Sequence, residues 1–243
     1  MAHKGFLVGV WRETLQHFAG TEVKPSAVYG IDGLESLQTK PGPTMVIVED
    51  CDTLDMMVDF VGEGLNPLVL NMCSDRKPGG GVRTGARAQE ECIFRRTNAF
   101  LTYEDEWYPL GSKNLIYSPE ITMYRDSDYK VLRQKDYRTF AMIGVSAVRN
   151  PRLIGDRYSP RDKDMMDNKI DSIFSVAVKH GHDSLVLGAI GCGAFNNPPG
   201  EVANIFKDKI GKYAGYFKKI GFAVLVAKKD DQENLTLFQQ ILL

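Results

Sequence analysis

Apolar residues along this chain fall into short continuous runs, separated by stretches in which they recur every three or four positions. Thr44 to Val48, Pro67 to Asn71, Leu185 to Ile190 and Phe222 to Ala227 are continuous runs, and each reads as a strand buried on both faces. Asn114 to Tyr117 and Glu120 to Arg125 read as short strands split by Pro119, and Arg138 to Val148 as a further strand. Helical spacing covers Leu54 to Val61, with Asp52 or Thr53 as its cap. It also covers Arg87 to Tyr103, Met165 to Lys179, Glu201 to Phe217 and Asn234 to Leu242. A short helix over Arg12 to Phe18 precedes a Gly-, Pro- and Ser-rich loop from Gly20 to Gly42. Buried strands alternating with amphipathic helices predict an α/β fold with helices on both sheet faces. Ligands in such folds bind at the carboxyl ends of strands. The two most unusual loops fall there, one after Asn71 and one after Ile190.

The first loop holds Pro78-Gly79-Gly80-Gly81. Three glycines permit positive φ and close approach to the backbone, and successive N–H groups can form an anion-binding concavity. A glycine run alone more often marks a plain turn, and no phosphate-loop or dinucleotide pattern surrounds this one. The second loop is Gly191-Cys192-Gly193-Ala194-Phe195-Asn196-Asn197-Pro198-Pro199, between a strand and a helix. Strand, glycine loop and helix N-terminus together hold phosphate without net positive charge. Phe195 either folds back on the core or stacks on a ribose or base. Between the loops stands Gln89-Glu90-Glu91. Paired acids opening a helix are commonly a solvated first turn that complements the dipole. The alternative is a catalytic carboxylate. Adjacent helical side chains point about 100° apart, so the two glutamates cannot share one job.

Composition narrows the classes. The 243 residues suit one domain, or one domain with a helical appendage, and the net charge of −1 supplies no general attraction for nucleic acid. No run approaches the roughly 20 apolar residues of a membrane span, and no targeting signal opens the chain. Cys51, Cys73, Cys92 and Cys192 lack metal-ligand spacing and read as free thiols of a reducing compartment. His180 and His182 suit a helix C-terminus better than a metal. Cys92 has no neighbouring base to activate it. No metal and no cofactor are expected, and the placement expected is cytoplasmic, with a nuclear one open.

The triplet Gly79-Gly80-Gly81, its seven-residue spacer Val82 to Ala88 and then Gln89-Glu90-Glu91 resemble the signature of microbial-type poly(ADP-ribose) glycohydrolases, a branch of the macrodomain fold. The string from Leu70 to Glu91, the loop Leu187 to Pro199, and Tyr117-Ser118-Pro119-Glu120 with Tyr124-Arg125-Asp126 are similar to that family too. The likeness runs from about Thr44 to the C-terminus and extends more weakly to Arg12-Glu13-Thr14. Ser74-Asp75-Arg76-Lys77, Ala147-Val148-Arg149-Asn150 and Asn196-Asn197-Pro198-Pro199 depart from it. The catalytic constellation is intact, and the departures bear on the acceptor.

The resemblance implies a macrodomain-like mixed central sheet sandwiched between helices, residues 44–243, with residues 1–43 as an N-terminal helical extension packing on it. It implies Glu91 as general acid/base and Glu90 on ribose hydroxyls. Gly79, Gly80 and Gly81 would approach the ribose and diphosphate, Asn71 would lie near the ribose, and Gln89 would be among the ligand-binding residues. Gly191, Cys192, Gly193, Ala194, Phe195 and Asn196 would wrap the diphosphate, with Phe195 against the distal ribose. Thr53, Glu49, Asp50 and Asp52 would reach the adenine side. The implied activity is hydrolysis of ribose–ribose O-glycosidic bonds in poly(ADP-ribose), releasing ADP-ribose. The implied partners are ADP-ribose, its polymer and ADP-ribosylated macromolecules, without a membrane. A mono-ADP-ribosyl hydrolase of protein or nucleic acid, and a module that only binds ADP-ribose, are the alternatives. Gln89-Glu90-Glu91 favours an enzyme.

Overall fold

A computed structural model describes residues 3–31 and 42–243. In chain order the helices are α1 (Lys4–His17), α2 (Thr53–Gly62), α3 (Gln89–Arg96), α4 (Pro160–Lys179), α5 (Pro199–Lys212) and α6 (Lys229–Leu242). The strands are β1 (Ala27–Gly30), β2 (Met45–Glu49), β3 (Pro67–Met72), β4 (Asn114–Met123), β5 (Arg138–Val145), β6 (Leu153–Ile154), β7 (Arg157–Tyr158), β8 (Ser184–Leu187) and β9 (Lys219–Ala223). They form two compact units, Met1–Tyr29 with Asn71–Ser146, and Gly30–Leu70 with Ala147–Leu243.

In the first unit the strand order is β1-β4-β5, and β4 pairs antiparallel with β5. Pro119 lacks a ladder donor, yet β4 runs through it, because the register shifts between Ser118 and Ile121. The two short strands expected there are therefore one bulged strand. Helix α1 packs on α3 and on the turn Val82–Thr84. It starts earlier than expected, because the His3 imidazole accepts from Gly5 N at 3.1 Å and caps it. Leu7, Val10, Trp11 and Thr14 bury one face of it, which outweighs the low helix propensity of Gly5 and Gly9.

In the second unit β3, β8, β9 and β2 run parallel in that order. Gly221 of β9 faces α2, where an added Cβ would lie 2.4 Å from Met56 Sδ and 2.8 Å from Phe60. Only glycine lets α2 rest on the strand backbone. Phe222 points the other way, its ring 5.0 Å from Phe206 of α5 and 5.7 Å from Phe238 of α6. Helices thus cover both faces, and the architecture is mixed α/β as expected.

Several boundaries differ from expectation. The helix foreseen over Arg87 to Tyr103 stops at Arg96, because Thr97 turns extended and bridges Met123 while Arg96 O accepts from Tyr124 N. The strand foreseen over Leu185 to Ile190 ends at Leu187, and that foreseen over Phe222 to Ala227 is Lys219–Ala223. β2 is not buried on both faces: it pairs only with β9, and its Met45 is 59% exposed. β1 interrupts the loop foreseen from Gly20 to Gly42, of which residues 32–41 lie outside the described residues. No helix among the described residues is long and apolar enough to cross a membrane.

Candidate functional site

In the first unit the chain leaves β3 at Met72, loops through the glycine triplet and enters α3 at Gln89. The start of α3 faces back onto that loop. Gln89 Oε1 accepts from Met72 N at 2.8 Å. Glu90 Oε2 accepts from Ser74 N at 2.8 Å, and its Oε1 from Gly79 N at 3.2 Å. Glu91 Oε1 accepts from Gly81 N at 2.7 Å. Three consecutive side chains hold four points of one loop: Gln89 and Glu90 hold its incoming limb at Met72 and Ser74, and Glu90 and Glu91 hold the triplet at Gly79 and Gly81.

This corrects the reading of the triplet as a bare anion cradle. Gly79 and Gly81 donate to the glutamates and Gly80 donates to Lys77 O. The glycines are needed for approach instead. Gly80 has φ of +49°, and an added Cβ would meet Glu91 Oε1 at 2.7 Å and Glu90 Oε2 at 3.1 Å. At Gly79, φ +65°, it would lie 2.5 Å from the Phe94 ring.

Both glutamates are buried, at 3% and 7% exposure. Burial pushes the Glu90 carboxyl up to about 8; the Glu91 charge adds to this and the N–H bonds from Ser74 and Gly79 oppose it. Glu91 Oε2 is buried and has no hydrogen-bond partner among the described residues. Nor have Asn71 Oδ1 and Tyr108 OH. All three belong to residues that bear on Glu90: Asn71 hydrogen-bonds to it, and Glu91 and Tyr108 feel its charge. Buried polar atoms are rarely left unpaired, since each costs about 1–3 kcal/mol. Tyr103 fixes Asn71 through a 3.2 Å bond from Asn71 Nδ2 to its hydroxyl.

Arg95, fully buried, ties the loop to α1. Its Nε donates to Leu7 O at 3.2 Å, and its Nη2 to Val82 O at 3.2 Å and Ala86 O at 2.7 Å. Sequence reasoning missed Tyr103, Tyr108 and Arg95.

In the second unit the loop after β8 is organised by Asn197, which is 2% exposed. Its Nδ2 donates to Val148 O at 2.8 Å and to Gly191 O and Phe195 O at 3.2 Å each, while its Oδ1 accepts from Tyr158 OH at 2.8 Å. Gly191, φ +77°, leaves no room for a Cβ, which would fall 2.5 Å from Asn197 Nδ2. Asn196, φ +57°, donates from Nδ2 to Asn150 Oδ1 at 2.8 Å. The N–H groups of Gly193, Ala194 and Phe195 have no acceptor among the described residues. The loop that carries them is tightly held, and Gly193 and Ala194 are exposed. The Arg149 guanidinium lies 3.8 Å from the Phe195 ring centroid and brings positive charge to the loop. Cys192 is held as a neutral thiol, pushed up by burial. Sequence reasoning singled out the loop but not Asn197 as the residue that shapes it.

Asp52 caps α2 through Leu54 N at 2.8 Å, and Asp50 accepts from Val226 N at 2.8 Å. These two of the four residues named for the adenine side have structural partners. All four cysteines are free thiols, and burial with the nearby Glu49 pushes Cys51 up to about 12. No three His, Cys, Asp or Glu side chains converge as a metal site among the described residues.

Residues 11–126 match the family model of the microbial-type PARG catalytic domain, PARG being poly(ADP-ribose) glycohydrolase. No curated protein matches the chain. Among solved structures, poly(ADP-ribose) glycohydrolase from Thermomonospora curvata is 27% identical with a TM-score of 0.83, over 97% of this chain and 99% of that one. The same enzyme bound to the inhibitor ADP-HPD gives 27% and 0.82 over the same shares. The glycohydrolase from Deinococcus radiodurans in complex with ADP-ribose is 24% identical with a TM-score of 0.71, over 98% of this chain and 90% of that one, a likeness of fold.

Proposed function

We propose that this chain is a poly(ADP-ribose) glycohydrolase of the microbial type, with Glu91 as general acid/base. It is a glycosidase that hydrolyses the ribose–ribose bond of the polymer and releases ADP-ribose. The observation that carries the role of Glu91 is its divided carboxylate. Oε1 is held by Gly81 N, and Oε2 is buried without a partner. A carboxylate aimed by one oxygen and free at the other is suited to proton transfer.

The loop after β8, with the N–H groups of Gly193, Ala194 and Phe195 as donors and the Arg149 charge beside them, suits a diphosphate. Glu91 is the acid. Asn71 Oδ1 and Tyr108 OH accept from and donate to ribose hydroxyls. Glu90, with both oxygens on backbone N–H groups, holds the loop.

Glu91 Oε2 carries the proton to the leaving ribose oxygen as its bond to C1 breaks through a cation-like ribose. The Glu91 carboxylate then takes a proton from water as the water oxygen bonds to C1, which restores the acid. The substrate's own diphosphate steadies the cation. Four free thiols fit action in the reducing cytoplasm.

The test is Glu91→Gln, read by release of ADP-ribose from polymer and by ADP-ribose affinity. The expected result is lost turnover with binding retained. Retained turnover removes Glu91 from the central role, and a chain that binds ADP-ribose but never cleaves is a reader.

A further inference from the structure

The first unit carries a pocket of about 540 Å³ that none of these roles uses. That volume suits a small-molecule site. Trp11 and Phe100, whose rings meet edge-on at 5.3 Å, give it an aromatic wall. Arg12 and Arg83 line it as well, both exposed. Neither has a hydrogen-bond or ion-pair partner among the described residues. Asp105 is the one carboxylate in the lining. Two unpaired guanidinium groups beside an aromatic wall are the chemistry that takes a base by stacking and a phosphate by charge. A hydroxyl-accepting carboxylate beside them suits the ribose between base and phosphate.

The pocket is coupled to the catalytic loop but separate from the acid. Pro78 and Val82, which bracket Gly79 to Gly81, line it, whereas Glu90 and Glu91 do not. A ligand there lies against the loop that holds Glu91.

We propose that this pocket binds a second adenine nucleotide, its base against Trp11 and Phe100 and its phosphate on Arg12 and Arg83. The proposal rests on the glycohydrolase reading for the source of that nucleotide, the neighbouring ADP-ribose unit of the polymer. A free nucleotide has the same chemistry, and the experiment separates the two.

ADP-ribose is titrated calorimetrically into the full chain and into the Arg12→Glu/Arg83→Glu variant, and polymer hydrolysis is followed in both. The full chain shows two classes of site, and the variant loses the weaker while keeping the tighter. A polymer KM raised about tenfold, with kcat unchanged, identifies the neighbouring unit as the occupant. An unchanged KM identifies a free nucleotide. The milder Arg12→Gln/Arg83→Gln pair gives a smaller change in the same direction if the site is real. A single class in the full chain, or a weaker class indifferent to both variants, overturns the proposal. So does an equal loss of both classes, which means the loop was disturbed. A weaker class without a tighter one, and no polymer cleavage, counts against the glycohydrolase reading alone.

Discussion

Gly81 N donates to Glu91 Oε1 over 2.7 Å and leaves Glu91 Oε2 buried without a partner. On the role proposed for Glu91, this bond sets how far its acid oxygen reaches. Glu91→Asp keeps the charge and shortens the arm by one methylene, so one oxygen cannot hold Gly81 while the other meets the leaving oxygen. A misplacement of about 1 Å costs about 100-fold in rate. Polymer turnover is expected to fall by about that factor, with ADP-ribose affinity within a few-fold of the unaltered chain. Steady-state kinetics beside a binding titration check both.

Gly80 gives a separate handle on the same geometry. A methyl there lies 2.7 Å from Glu91 Oε1 and 3.1 Å from Glu90 Oε2, at a φ of +49°. The left-handed backbone alone costs a non-glycine residue about 1–2 kcal/mol. The methyl must also push the carboxylates aside. Gly80→Ala is expected to unfold a few degrees lower and to lose at least 100-fold in kcat, about the cost of a misplacement of 1 Å. A melting curve and a kcat measurement decide it; a full kcat would show that the carboxylates are not held by this loop.

Glu90 makes stability depend on pH. Its folded carboxyl titrates at about 8 against an ordinary 4.5, through burial first and the Glu91 charge second. Folding therefore takes up a proton within that window. The protonated form's contribution is complete below about pH 4.5 and is lost as pH rises through about 8. Across the window the unfolding constant attributable to Glu90 grows by up to about tenfold per pH unit. Chemical denaturation at several pH values should show this slope in the unaltered chain and a flatter one in Glu90→Gln. Equal slopes would refute it.

What the sequence alone makes legible follows from how local each signal is. The apolar runs and the α2 cap at Asp52 are read from neighbouring residues, and a strand forms at each run, although Thr44 to Val48 becomes a partly exposed edge strand and Phe222 to Ala227 moves to Lys219–Ala223. The order of Gly79 to Gly81 and Gln89 to Glu91 likewise announces a site. How the two halves meet is not local. Glu90 binds Ser74 and Gly79, sixteen and eleven residues back, and no pattern says that its oxygens are spent on backbone. No local signal singles out Arg95 within the helix expected over Arg87 to Tyr103. Its burial appears only once Leu7, Val82 and Ala86 supply carbonyls from three separate segments. Asn197 before Pro198 reads as a turn, and its role depends on Val148 and Tyr158, which are distant in the chain.

The loop after β8 offers two glycines with opposite expectations. Gly191→Ala puts a Cβ 2.5 Å from Asn197 Nδ2 at a φ of +77°, so it is expected to break the Asn197 bonds and destabilise the chain by about 1–3 kcal/mol. Gly193→Ala meets nothing within 4 Å and should melt like the unaltered chain. Its methyl occupies space beside the N–H groups proposed to hold the diphosphate, so ADP-ribose affinity should fall about tenfold or more, the 1.4 kcal/mol of one lost contact. Normal affinity in Gly193→Ala would take the diphosphate away from this loop.

Arg95 tests whether α1 is part of the catalytic apparatus. Its guanidinium serves Leu7 O on α1 and Val82 O and Ala86 O on the loop that carries Gly81, and its own carbonyl accepts from Thr14 Oγ1 at 2.9 Å. Arg95→Met leaves three carbonyls without this donor, a loss of about 3 kcal/mol or more. A brace that only stabilises would lower the melting temperature and spare kcat at temperatures where the chain stays folded. A residue that positions Glu91 through Ala86 and Gly81 would lower kcat there while leaving KM nearly unchanged. Gly81 O accepts from Ala86 N at 3.1 Å, so movement at Ala86 reaches the peptide next to the Glu91 bond. We expect the second pattern, with kcat down about 10- to 100-fold, the scale of a sub-ångström to 1 Å displacement. Arg95→Lys keeps the charge but cannot reach three carbonyls with one ammonium, so it should restore part of kcat. Full kcat in folded Arg95→Met would make this arginine a structural brace alone.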